Sequence, residues 1–204
     1  AGMKGISLFL LPRRLDDGSA NHYRIVRLKH KLGTRSMASG EIVLDGAVAY
    51  LVGEQGRGFV QMADMVNNSR LSNGVRSAGL MRRAVAEAEY VARERRAFGQ
   101  AIADMQNTRF KLAEVATTLT VGRAFIDRCV EQLVAGTLDT ATASMAKLWG
   151  SEAQGRVLDE LVQLHGGYGY MNEYMVTRMY ADARVQRIYG GTSEIMKEVI
   201  ARAL

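Results

Sequence analysis

The hydrophobic pattern divides the chain into two parts with different periods. Over the first fifty residues, apolar residues come in short runs separated by turn residues. Ile6–Leu11 is a run closed by Pro12, and Asp16-Asp17-Gly18-Ser19 supplies turn chemistry. Tyr23–Leu28, Glu41–Asp45 and Val48–Val52 read as three more strands. From Phe59 onward the period becomes helical. Phe59, Met62, Val66, Leu80, Val85, Ala88 and Val91 fit one face of a helix that runs to about Arg96. Met105, Leu112, Leu119, Ile126 and Leu133 repeat every seven residues, with Val115 and Cys129 near the offset seam, and predict a second helix stopped by Gly136. Asp139 is placed to cap a third helix that runs to about Leu164. A short helix over Val176–Arg184 follows, and then one from Thr192 or Ser193 to the C-terminus. Long helices joined by short glycine breaks predict a mainly α chain: an antiparallel four-helix bundle preceded by a partial β domain. The expected domains are 1–53 and 54–204, joined by the glycine-rich Gly53–Gly58.

Composition narrows the class. The chain has 204 residues, 48% hydrophobic and 24% charged, which suits a folded globular protein rather than a disordered one. Its apolar runs are too short to span a bilayer, and Ala1-Gly2-Met3-Lys4-Gly5 does not open a signal peptide. One cysteine excludes an internal disulfide and a cysteine-based zinc site, and suits a reducing compartment such as the cytoplasm. The three histidines are too scattered for a metal cluster. The net charge of +6 is uneven: residues 1–100 hold 16 basic and 9 acidic side chains, residues 101–204 hold 11 and 12. Such a basic half is either a solvated face or a surface for an anionic ligand.

Three segments carry candidate chemistry. Gly166-Gly167-Tyr168-Gly169 ends the third helix, and Gly190-Gly191-Thr192-Ser193-Glu194 opens the last. Backbone N–H groups at such breaks either cap and turn the chain or hold phosphate oxygens. Arg93-Glu94-Arg95-Arg96-Ala97-Phe98-Gly99 combines cations with an aromatic edge. Taken alone it reads as a cationic helix end that complements the dipole. His165 reads as a packing residue beside the glycine turn, Trp149 as bundle core or interface, and Cys129 as an inert buried thiol.

In this order the segments resemble the acyl-CoA dehydrogenase family. The resemblance rests on Arg95–Gly99, on Gln106, on Gln163–Tyr170 and on Arg184–Ile195. Asn67-Asn68-Ser69-Arg70, Gly33–Ser36 and Gly53–Phe59 extend it over essentially the whole chain. It implies FAD held between a middle β domain and a helical bundle, usually in a homotetramer. It also implies α,β-dehydrogenation of an acyl-CoA, with an electron-transferring flavoprotein reoxidising the flavin. By this resemblance Arg95, Phe98, Gln106, Gln163, Gly166, Gly167, Thr192 and Glu194 are FAD-contact positions, some of them toward the FAD of a neighbouring subunit. Asn67, Arg70, Tyr189 and Gly190 are substrate-side positions.

The chain departs from the family pattern in four ways. It begins inside the middle domain, so another segment is expected to complete the flavin site, or the chain is a fragment. The glutamate base is missing from both positions where the family carries it: one is Gly190, the other Ser69. A serine has no useful basicity without a partner base, Asp64 lies more than one turn away, and Glu194 occupies a cofactor position. Met175 replaces a usual proline. The C-terminal motif and the Asn67–Arg70 segment match different subfamilies, which suggests a recombination that lost both bases. The expected function is therefore an FAD-dependent acyl-CoA dehydrogenase impaired at its base. The alternatives are a non-catalytic subunit of a heteromer, an adaptive-response-type flavoprotein with nucleic-acid affinity, and a purely structural assembly subunit. A nucleic-acid partner is disfavoured because those relatives bind DNA through an extra C-terminal domain, and a membrane partner is not expected.

Overall fold

The computed structural model describes residues 5–204; the reading of Ala1–Lys4 as no signal peptide lies outside the described residues, as does the side chain of Asp64. The chain separates into two compact units, Ala1–Val66 and Asn67–Leu204.

The first unit holds four strands. β1 (Leu8–Leu10) pairs antiparallel with β4 (Tyr50–Val52), Phe9 opposite Leu51. β2 (Tyr23–Leu28) pairs antiparallel with β3 (Gly40–Leu44), Ile25 opposite Ile42, with a bulge between Ile25 and Arg27. Buried Asn21 ties the two pairs together. Its Nδ2 donates to the carbonyls of Pro12 and Val48, both at 2.8 Å, and its Oδ1 accepts from the Val48 amide at 2.9 Å. Every polar atom of that amide is used, as burial demands. The strands' own apolar side chains, Phe9, Leu10, Ile25 and Leu44 among them, are exposed. The glycine-rich link has a steric reason. The Gly58 amide donates to Ile6 O at 2.8 Å, and a Cβ at Gly58 would fall 2.5 Å from the Leu8 amide nitrogen.

Gly58 opens α1 (Gly58–Glu94). The sequence carries this helix to Arg96, but the structure ends it at Glu94. Arg96–Ala97 (β5) instead pairs with Gln100–Ala101 (β6) in a two-residue hairpin. Phe98 and Gly99 form the turn with φ of 51° and 84°, the left-handed pair that a tight hairpin requires. The segment read as a helix-end cationic cluster is thus a hairpin that presents Phe98 at its tip, 97% exposed.

The remaining helices are α2 (Gln106–Val134), α3 (Thr140–His165), α4 (Met175–Ala183) and α5 (Ser193–Ala201). The Asp139 carboxylate accepts from the Thr142 amide at 2.7 Å, and the Thr192 hydroxyl from the Ile195 amide at 3.3 Å, as N-caps. Gly136, at φ 69°, ends the α2 turn. α1, α2 and α3 form three long members of the bundle, and α4 with α5 form a broken fourth.

The core of the second unit has two clusters. Met81, Ala84, Val85 and Ala88 of α1 meet Val115 of α2, Val157, Leu158 and Leu161 of α3, and Val176 and Met179 of α4. Leu71, Ala78, Ile126, Cys129 and Ala146 form the other. The heptad reading holds at Val115, Ile126 and Cys129 and is corrected at its leucines. The buried line of α2 is Thr108, Val115, Gly122, Ile126 and Cys129, whereas Leu112 and Leu119 only flank it and Leu133 is exposed. The reason is Gly122. A Cβ there would run into the Trp149 ring, so the indole of α3 occupies the place of a side chain and sets which stripe of α2 faces inward.

Candidate functional site

The residues singled out by sequence fall into two groups, both within the second unit. The first gathers where α1 ends, α2 begins and α3 ends. The Arg95 guanidinium donates to the His165 carbonyl at 2.5 Å and lies over the Tyr168 ring at 5.7 Å. Tyr168 in turn stacks on Tyr174, with centroids 4.8 Å apart. Gly166 follows His165 at φ 59°, and a Cβ there would stand 3.1 Å from Arg95 Nη1, so the turn is glycine both for conformation and for clearance. Buried His165 donates from Nδ1 to Leu161 O at 2.7 Å, which makes it a packing residue. Arg95, Phe98, Gln163 and Gly166 share the lining of one open cavity of about 310 Å³ with Asn107 and Lys111. Gln106 and Gly167 are exposed neighbours of that lining.

This cavity carries a cation held by a backbone carbonyl, an exposed aromatic ring, an amide side chain and a glycine turn. That donor set fits the phosphate and aromatic parts of a dinucleotide such as FAD. Arg95, Gln163, Phe98 and the Gly166-Gly167 backbone are the residues that would hold it.

The second group lies toward the other end of α3. Lys147 and Gln163 are sixteen residues apart, about 24 Å at the helical rise. Arg70 is half-buried and donates to Asn67 Oδ1 at 2.9 Å, and Asn67 Nδ2 donates to Thr140 Oγ1 at 2.9 Å. Arg70 Nε is buried without a partner, and burial holds the guanidinium below its ordinary range. Ser69, beside it, is exposed. Gly190 and Gly191 have φ of 65° and 98°, and a Cβ at Gly190 would stand 2.8 Å from Asn73 Nδ2. Tyr189 is half-buried. Thr192 caps α5, and the exposed Glu194 carboxyl is held below the usual range by its own backbone amide and the Thr192 hydroxyl.

Sequence reasoning missed the residue that knits this group together. Lys147 is fully buried and donates to Gly191 O at 2.5 Å. Burial pushes its ammonium down, opposed by the Glu152 and Glu194 charges, and Arg70 lowers it further. On the same helix Glu152 accepts from Ser193 Oγ at 2.8 Å and pairs with Arg187 at 3.4 Å. Beneath them Ser77 Oγ meets Asn73 O at 2.9 Å, Gln186 Oε1 at 3.0 Å and Gln154 Oε1 at 3.2 Å, and Gln154 Nε2 has no partner. One hydroxyl hydrogen cannot serve three acceptors, so at least one of these amides turns its nitrogen toward Ser77. The available signal was a lysine embedded among Ala143, Ala146, Gly150 and Ala153, where a buried apolar residue is expected.

Residues 56–204 match the family model described as "Acyl-CoA dehydrogenase, C-terminal domain". The chain belongs to the acyl-CoA dehydrogenase family. The rat long-chain specific acyl-CoA dehydrogenase, mitochondrial, is 40% identical over 203 residues, covering 98% of this chain and 46% of that protein. The caffeyl-CoA reductase-Etf complex subunit CarC of Acetobacterium woodii is 34% identical over 206 residues, covering 100% and 53%. Among solved structures, an acyl-CoA dehydrogenase from Geobacillus kaustophilus superimposes with a TM-score of 0.89 at 34% identity, covering 98% of this chain and 52% of its own. One from Bacillus anthracis, complexed with FAD, gives 0.81 at 28% identity, covering 92% and 38%. The chain therefore spans about half the length of the relatives it matches. Among the described residues no helix is long and apolar enough to cross a membrane, and no cluster of metal-ligating side chains occurs.

Proposed function

We propose that the chain is the helical-domain part of an FAD-dependent flavoprotein acting on the α,β carbons of an acyl-CoA thioester, impaired because neither base position carries a carboxylate. Residues 1–53 correspond on this reading to the end of a middle β domain and 54–204 to the C-terminal helical domain. The observation that carries the reading is the group around the Gly190-Gly191 turn, where Lys147 donates to Gly191 O, Asn73 stands against Gly190, and the charges of Arg70 and Glu194 act on Lys147. FAD, when bound, would accept the hydride lost from the β carbon, the α proton going to a base. The chain's own part is to position and polarise. On this reading Arg70 and Asn67 serve the substrate side, the Gly190 amide would donate to the thioester carbonyl, and Thr192 and Glu194 serve the cofactor. The cation-and-aromatic cavity at Arg95 lies at the other end of α3. That separation supports the expectation that it serves the FAD of a neighbouring subunit in a homo-oligomer or a heteromer. An electron-transferring flavoprotein is the matching acceptor, consistent with a relative that belongs to an Etf complex.

Removing an α proton needs a base within hydrogen-bond reach. Gly190 has no side chain, and Ser69 offers an exposed hydroxyl. Ser69→Glu is the substitution of least cost: position 69 is exposed, whereas a side chain at Gly190 meets Asn73 and a left-handed backbone. The test is anaerobic addition of an acyl-CoA to the purified, flavin-loaded assembly. The parent is expected to keep its visible flavin band, and Ser69→Glu to bleach it about 10²–10⁴-fold faster. Rapid bleaching by the parent would reveal a base elsewhere, and no gain in Ser69→Glu or Gly190→Glu would overturn the lost-base reading. The same two positions favour one second reading, a non-catalytic flavoprotein subunit. It predicts that acyl-CoA binds and perturbs the flavin spectrum without bleaching in either variant.

A further inference from the structure

A cleft on α3, joined to the second group through the Arg187–Glu152 pair, carries charge that the proposed reaction does not use. It lies between α3 and the turn after α4, encloses about 310 Å³, and is floored by Ala183 and edged by Tyr180. Arg184–Arg187 is a single 3-10 turn, in which side chains three apart stand one above the other. That geometry places Arg184 and Arg187 on one wall, and Arg156 of α3 faces them on the other. The Arg187 guanidinium is tethered on one edge. Its Nε and Nη2 reach the carbonyls of Ser151 and Glu152 at 3.5 and 3.4 Å, and Nε stands 3.4 Å from the Glu152 carboxylate. Gly155 makes this possible, since a Cβ there would overlap the guanidinium. Arg156 and Arg184 have no ion-pair partner among the described residues. Asp159 is the one carboxylate in the lining.

We propose that this cleft is a binding site for a small phosphate-type oxyanion. Three guanidiniums meet two carboxylates, Asp159 in the lining and Glu152 against Arg187, so the pocket keeps one excess positive charge. Planar forked donors match tetrahedral oxyanions, and Arg156 and Arg184, neither ion-paired, can close on one from opposite walls. The pre-tethered Arg187 lowers the ordering cost of binding. Tyr180, 45% exposed, offers a flat apolar edge beside the charge, large enough to rest an aromatic ring carrying the phosphate. The site does not depend on the flavin or acyl-CoA reading.

The test is thermal denaturation and isothermal titration of the full chain with inorganic phosphate, inorganic pyrophosphate and phenyl phosphate at constant ionic strength. Saturable stabilisation is expected, because a ligand that binds only the folded state raises the midpoint with concentration. Arg156→Gln with Arg184→Gln is expected to weaken pyrophosphate at least about tenfold. Both side chains are exposed, so folding is preserved. Asp159→Asn, which removes the one carboxylate of the lining, is expected to tighten binding a few-fold, roughly the effect of one screened surface charge. Arg128→Gln, at an exposed arginine of α2 outside the cleft, is expected to leave it unchanged. Phenyl phosphate binding more tightly than inorganic phosphate would assign an aryl-borne phosphate, and equal affinity the free anion. Absence of saturable binding, an adventitious salt effect shared by chloride, or affinity unaltered in both the arginine pair and Asp159→Asn would overturn the proposal.

Discussion

At the scale of the residue, the second group depends most on Lys147. A fully buried ammonium is costly unless its hydrogens and charge are met, and here the Gly191 carbonyl, Glu152 of the same helix and Glu194 of α5 meet them in part. Because burial lowers its pKa, the folded chain releases this proton at a lower pH than the unfolded chain does. The unfolded state then binds more protons in the window below 10.5, so stability rises with pH across that window and the contribution is complete only above it. Urea titrations of wild type and Lys147→Met at successive pH values should show wild type gaining on the variant as pH climbs from neutrality toward 10.5; parallel curves would remove Lys147 as the source. The glycines of this group were legible in the sequence because their spacing in a motif marks a turn. The lysine was not, because the pattern of apolar residues says where a core is and not which of its members is polar. Ser69 and Gly190 were legible as absences of a carboxylate, and the structure adds that position 69 is exposed whereas a side chain at Gly190 meets Asn73 and a left-handed backbone.

At the scale of the element, caps and glycines set the helices. The Asp139 carboxylate is held below its ordinary range by the Thr142 side chain and backbone amide. Its capping contribution is present above pH 3.8 and is lost as pH falls through the lower folded value. Asp139→Ala is expected to cost about 1 kcal/mol at neutral pH, measured by chemical denaturation, and nothing in strong acid. Gly122→Ala is a different experiment on the same pair of helices. The added methyl meets the Trp149 ring, and overpacking of that kind costs about 1–3 kcal/mol. A simultaneous Trp149→Phe is expected to recover part of the loss in the same denaturation assay. Asp139 could be read as a cap because capping is local. The inward stripe of α2 could not, because seven-residue spacing fits both Met105-Leu112-Leu119 and Thr108-Val115-Gly122, and only the partner helix decides. The hairpin at Arg96–Ala101 was hidden for a similar reason: nothing local announces a left-handed phenylalanine.

At the scale of the whole molecule, the two units differ in how they bury apolar surface. The helical unit has a closed core, whereas the two-stranded pairs of the first unit expose most of their apolar side chains. Isolated two-stranded ribbons are marginal in water. Limited proteolysis followed by mass spectrometry should cut first between residues 5 and 57 and leave a resistant fragment from α1 to the C-terminus; first cuts within α2 or α3 would contradict this ordering. Cys129 gives the bundle a further property. It is the chain's only thiol, it has no exposed surface, and burial together with the nearby Asp139 charge raises its pKa. A thiol reagent can reach it only when α2 leaves the core, and the thiolate forms readily only after that opening. The rate at which one equivalent of reagent is consumed therefore acts as a clock for bundle opening. Any ligand that binds the closed bundle slows that clock in proportion to the opening it prevents, with no engineered probe.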